Sequence, residues 1–90
     1  MNNARRKQLE ALTARIQDAR AIADEIQSSL QEILDAEQEA FDNMPEGLQD
    51  GERGQKAQEA LDALQSANDE IENITTAVDD FCNAVEQASA

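Results

Sequence analysis

The ninety residues contain no histidine, no tryptophan and no tyrosine, and only one cysteine and one proline. Without histidine, and with Cys82 alone, neither the common zinc frameworks nor the Glu-x-x-His sites of di-iron bundles can be built, so no metal and no other cofactor is expected. The lone thiol excludes an internal disulfide and fits a reducing compartment. Hydrophobic runs are as scarce, the longest being Ala21-Ile22-Ala23, which predicts no membrane span. The basic opening MNNARRK is followed by no apolar core of a signal peptide. A soluble, cytoplasmic protein is expected, and no residue pattern indicates an enzyme.

Positive charge is also scarce. Seven Lys and Arg against twenty Asp and Glu give a net charge of -13. Direct binding to nucleic acid or to an anionic membrane is thereby disfavoured, and a basic protein partner is favoured. Such a composition borders on that of disordered chains, but the apolar residues keep a strict period, which a disordered chain has no reason to do.

That period gives the architecture. Leu9, Leu12, Ile16, Ala19, Ala23, Ile26, Leu30 and Ile33 follow one another in alternating steps of three and four, the a and d positions of a heptad. Ile22 at g, and Leu34 and Phe41 at e, widen the stripe. The rhythm returns at Ala57, Ala60, Leu64, Ala67, Ile71, Ile74, Val78, Phe81, Val85 and Ala88, with Leu61 and Cys82 at e. Between the arms lies FDNMPEGLQDGERG, which holds every proline and glycine in the chain: Pro45, Gly47, Gly51 and Gly54. Pro45 denies Met44 a helical conformation, Asn43 can close a helix in the left-handed region, and Asp50 can cap the next one, with Glu52 in its first turn. Leu48 is expected to tuck back over the turn.

The fold class predicted is all-α: a single domain over residues 1–90, with helices over about 4–42 and 51–88 joined by a hinge at 43–50. A short hinge makes the arms an antiparallel hairpin. Ninety residues bury little surface alone, and the widened stripe calls for further neighbours, so a homodimeric four-helix bundle or coiled coil is expected. Its self-association residues are Leu12, Ile16, Ile26, Leu30, Leu34, Leu61, Leu64, Ile71 and Val78. Whether the hairpins pair with tips together or opposed stays open.

Most carboxylates, including Asp24, Glu25, Glu32, Asp35, Glu39, Asp42, Glu59, Asp62, Asp69, Glu72, Asp79, Asp80 and Glu86, occupy b, c or f, which face solvent. This counts against all-α nucleotide pyrophosphohydrolase chemistry, which needs carboxylates converging on magnesium inside a bundle. Glu37, at a, is expected to face Arg53 and Lys56 as a register-fixing ion pair. Residues 1–20 and 75–90 carry equal numbers of basic and acidic side chains, with Asp79 and Asp80 expected near Arg15. The hinge half, 21–74, therefore carries the whole -13. Its fifteen acids along about 32 Å of helix give roughly one per 2 Å, against about one per 1.7 Å in duplex DNA.

At EAFDNMPEGLQDGERGQK the chain resembles a group of short, acidic, two-helix bacteriophage and prophage proteins of uncharacterised function. In these an Asn-hydrophobic-Pro-Glu turn and a Glu-Arg-Gly segment join two heptad arms. The resemblance transfers no catalytic residue. It implies a phage context and a bacterial host cytosol, where small acidic proteins act as inhibitors of host nucleases or defence systems. Secreted helical-hairpin dimers of this length carry Trp-x-Gly in the turn, which this chain lacks.

Two functional readings follow. In the first, a non-enzymatic phage-type protein binds and inhibits or sequesters a basic host protein, with Asp24, Glu32, Asp35, Glu39, Asp42, Glu59, Asp62 and Asp69 standing in for phosphates. In the second, the chain is a structural adaptor read through its apolar seam or its hinge, Asn43, Met44, Pro45 and Leu48. The alternative to both is an acidic surface that serves solubility alone.

Overall fold

The computed structural model describes residues 1–90. The chain is all-helical, with α1 at Asn3–Asp42, α2 at Glu46–Gln49 and α3 at Glu52–Ser89. It is a slender body of 69 × 15 × 13 Å in which α1 packs against α3. At about 1.5 Å per residue a forty-residue helix spans roughly 60 Å, so the length of the molecule is that of one long helix, not of two in series. Arg20 Nε donates to Asp79 Oδ1 at 2.8 Å, joining residues 59 positions apart in sequence.

α1 starts at Asn2, whose side chain accepts from the Arg5 N–H at 2.8 Å and satisfies one of the free amides of the first turn. It ends at Asn43, which stays right-handed (φ -83°, ψ -5°), and no residue of the chain has positive φ. The left-handed cap expected at Asn43 is therefore not used. Pro45, extended at ψ 144°, breaks the ladder and leads into the single turn α2, where the Leu48 and Gln49 amides both donate to the Pro45 carbonyl. Asp50 closes α2 and does not cap α3. That position falls to Gly51, which offers no side-chain bond. Leu48 does not tuck over the turn either: it remains 44% exposed.

Two residues hold the connection in shape. Gln49 Nε2 donates to the carbonyls of Phe41 and Met44 at 3.0 and 3.1 Å, adding to the Phe41 carbonyl a bond beside the one it accepts from the Met44 amide and giving the Met44 carbonyl a partner. Gly54 is buried on α3 with the Gln49 backbone directly against it: a Cβ there would lie 1.9 Å from the Gln49 carbonyl oxygen. No side chain could occupy that space, which is why this glycine belongs to the cluster. Gly47 faces open space instead.

Packing between α1 and α3 follows a narrower rule than the heptad stripe implies. On α1 the least exposed positions are Leu9, Thr13, Ile16, Arg20, Ala23, Gln27, Leu30, Leu34 and Phe41, and on α3 they include Gly54, Ala57, Leu61, Leu64, Asn68, Ile71, Thr75, Val78, Cys82 and Val85. These are the a and e rows. Six of the 90 residues are buried, and no side chain is fully enclosed. The e row is largely polar: Thr13, Arg20, Gln27, Asn68 and Thr75 sit in or beside the seam, and the Thr13 hydroxyl and Asn68 Oδ1 find no hydrogen-bond partner.

Candidate functional site

The d row, which the sequence marks as apolar, lies outside this seam. Leu12, Ile26 and Ile33 on α1 are 37, 52 and 53% exposed, and Ile74 and Phe81 on α3 are 51 and 55% exposed. Ile22, at g, is 57% exposed. The residues expected to drive self-association therefore divide. Ile16, Leu30, Leu34, Leu61, Leu64, Ile71 and Val78 line the seam of a single chain, while Leu12 and Ile26 are free. A heptad pattern reports total burial demand, and the seam meets only half of it.

The carboxylates form the second feature. All twenty Asp and Glu residues are exposed, the eight proposed contacts among them. On a helical wheel with a and e facing the seam, b and f lie on the e side and d and g on the opposite flank. Of the eight, Asp24 sits at b and Asp35, Asp42, Asp62 and Asp69 at f, whereas Glu32, Glu39 and Glu59 at c run along the outer edges. The f carboxylates are tethered: Gln31, Gln38, Gln58 and Gln65 donate to Asp35, Asp42, Asp62 and Asp69 at 2.8, 2.9, 3.0 and 3.4 Å, each one helical turn earlier. Such (i, i+4) amide-carboxylate pairs contribute about 0.2–0.5 kcal/mol each, and they fix the direction of the acceptor. The Gln-x-x-x-Asp spacing, repeated four times, is the sequence signal of this tether. Asp24 is held by Arg20, which also grips Asp79. This double hold, the Asp79 bond first, raises the Arg20 pKa further.

Two expected ion pairs do not form. Glu37 is exposed and bonds to neither Arg53 nor Lys56. Lys56 Nζ lies 3.6 Å from Glu52 Oε1, one turn away on its own helix. Asp79 pairs with Arg20 and not with Arg15. Of the hinge residues, Asn43, Pro45 and Leu48 are exposed and Met44 is half-buried.

Cys82 is half-buried in the e row, with Sγ 3.7 Å from Glu86 Oε1. Burial, then the Glu86 carboxylate, pushes its thiol pKa up, away from the reactive thiolate. No three Asp, Glu or Cys side chains converge in a way that could hold a metal ion. The surface depressions are open grooves, one along Arg5, Leu9, Leu12 and Arg15 at the end of the rod remote from α2. No helix is long and apolar enough to cross a membrane.

No protein-family model, curated protein or solved structure matches the chain.

Proposed function

We propose that the chain is a non-enzymatic antiparallel helical hairpin that pairs with a second copy and presents its carboxylates to a basic protein, inhibiting or sequestering it. The observation that carries this reading is the outward placement of every acid, with the f carboxylates held in fixed directions by the glutamines one turn before them. Fixed anions at close spacing resemble a phosphate backbone more than a flexible acidic tail does, and a cleft built for nucleic acid would accept them. In a phage setting the target would be a nucleic-acid-binding defence factor of the host.

Charge reversal tests this. Asp35, Asp42, Asp62 and Asp69 are replaced together by Lys, and proteins retained from a bacterial lysate on immobilised wild type and variant are compared along a salt gradient. Loss of basic, salt-eluted partners with little change in melting temperature supports the reading. Unchanged capture refutes it and favours the adaptor, for which the exposed Leu48 is the anchor.

A further inference from the structure

The exposed d and g rows are one surface. In an antiparallel pair whose seam is a and e on both helices, the wheel turns in opposite senses on the two arms, and both d rows fall on the same side. That side carries Leu12, Ile22, Ile26 and Ile33 from α1 and Ile74 and Phe81 from α3, each 37% exposed or more. Apart from Glu70, its only charges are Arg5 and Arg15 at the open end and Arg53 and Lys56 beside the hinge. Nineteen of the twenty carboxylates lie elsewhere on the molecule. The chain is two-faced, apolar on one side and anionic on the other.

The molecule's size says how much surface is left uncovered. Its accessible area is 6493 Å². A compact monomer of 9.9 kDa exposes about 5,200 Å². The excess of about 1,300 Å², and independently a face of roughly 1,000 Å² taken from the 69 and 15 Å extents, each exceed the roughly 800 Å² per partner of a standard interface.

Resting on the homodimer reading above, we infer that this face takes a second copy of the chain with the hinges at opposite ends. Three observations choose the occupant and its direction. First, Arg20 and Asp79 lie at one height, so the middle of the rod falls near Asp24 and Thr75. The exposed apolar side chains are distributed about that middle, and a full-length overlap covers all of them.

Second, a twofold axis crossing the rod at its middle lays α1 on the partner's α1 and α3 on the partner's α3. Ile22 then meets the partner's Ile26, and bulky Phe81 comes opposite the partner's Ala67 and the partner's Glu70, where Ala67 leaves room for the ring beside the Glu70 stem. Third, the hinge half carries the whole net charge of -13 while the open half is neutral. Pairing with hinges together would bring two such halves to within about 10 Å, near the Debye length of physiological salt, so the repulsion would be poorly screened. With hinges opposed, the basic open end, Arg5 and Arg15, runs along the partner's Glu32 and Glu39 on the outer edge. The acidic b and f faces then point away from the interface on both sides.

Fluorescence transfer between single-cysteine chains tests the arrangement. In a Cys82→Ala background, one chain is labelled at Gly47→Cys, where a side chain meets nothing within 4 Å. Another is labelled at Asn3→Cys, exposed at the open end. Strong transfer between Asn3 and Gly47 labels, with weak transfer between two Gly47 labels, is expected. The reverse pattern overturns the orientation. Light scattering on the unlabelled native chain reads the mass: a value of one chain at micromolar concentration, with no transfer in any mixture, overturns the pairing itself. Ile26→Glu is expected to abolish both transfer and dimer mass while leaving the helical circular dichroism in place, and a dimer surviving that change would show that another face is used. A one-chain mass would remove the pairing from the proposed function as well, whereas a dimer mass with the reverse transfer pattern overturns the orientation alone; none of these outcomes bears on binding of a basic protein.

Discussion

Replacing Gly54 by alanine isolates the contact that closes the hinge. In an ordinary helix this change stabilises by about 1 kcal/mol. The backbone here has no positive φ to forbid it. The new Cβ, however, would lie 1.9, 2.3 and 2.5 Å from the Gln49 carbonyl oxygen, carbonyl carbon and Cα, all main-chain atoms that no rotamer change can move. Ordinary contact needs about 3.5 Å, so α2 and α3 must separate by roughly 1.5 Å. Overpacking of this kind costs about 1–3 kcal/mol. The shift also strains the bonds from Gln49 Nε2 to Phe41 and Met44, each worth about 1 kcal/mol. The net expectation is a loss of about 2–3 kcal/mol, a fall in melting temperature of roughly 10–20 °C for a chain of this size. Thermal circular dichroism at one fixed chain concentration measures it, since pairing would make the midpoint concentration-dependent. Gly47→Ala, with nothing within 4 Å, is the control and should melt at or slightly above wild type. A Gly54→Ala chain that melts as high as the Gly47→Ala chain would refute the reasoning.

Gln49→Ala removes the same two bonds without a clash, and should lower the melting temperature by about half as much as Gly54→Ala while leaving helix content unchanged. Arg20→Asp and Asp79→Arg should each lower the midpoint and the double exchange should recover part of the loss, a coupling read from the four melts; additive losses would mean that the pair does not hold α1 to α3. Cys82 in the folded chain should alkylate with iodoacetamide more slowly than in the unfolded chain at the same pH, and Glu86→Gln should accelerate it, because Glu86 helps hold the thiol protonated. Since the folded-state pKa is raised, this group's contribution to stability is present below the ordinary thiol value and is lost as pH rises through the raised one.

Helix content and the position of the break were legible because both rest on short-range rules, a period near 3.5 and a cluster of proline and glycine. Which flank forms the seam was not. The d row, with Leu12, Ile26, Ile33, Ile74 and Phe81, is more apolar than the e row, with Thr13, Arg20, Gln27, Asn68 and Thr75, yet the e row faces the other arm. Periodicity states how much surface must be covered and is silent about which neighbour covers it. Asn43 closes α1 as expected, but right-handed, and the cap foreseen for α3 at Asp50 went to Gly51 because Asp50 ends the intervening turn α2; Gln49 also reaches back from α2 to the Phe41 and Met44 carbonyls, and sequence propensity has no term for a side chain five to eight positions downstream. Glu37 lost its expected partners through register: with Arg20 level with Asp79, Glu37 falls level with Asp62, roughly 9 Å of helical rise away from Lys56 and farther from Arg53. The outward direction of the carboxylates at b, c and f, by contrast, follows directly from their heptad positions.

In the proposed hairpin, the tight approach of Gly54 to Gln49 lies at one end of the rod and the two extremes of the chain at the other. Loop-closure entropy grows with the number of residues enclosed, so contacts beside the turn are the cheapest to form and those near the termini the dearest. Assembly of a single chain should thus proceed as a zipper from the turn outward, and opening should start as fraying where the termini meet. Amide exchange would be slowest near Leu61 and fastest beyond Val85, which makes the free ends the natural point of attack for a protease and the turn the last part to let go.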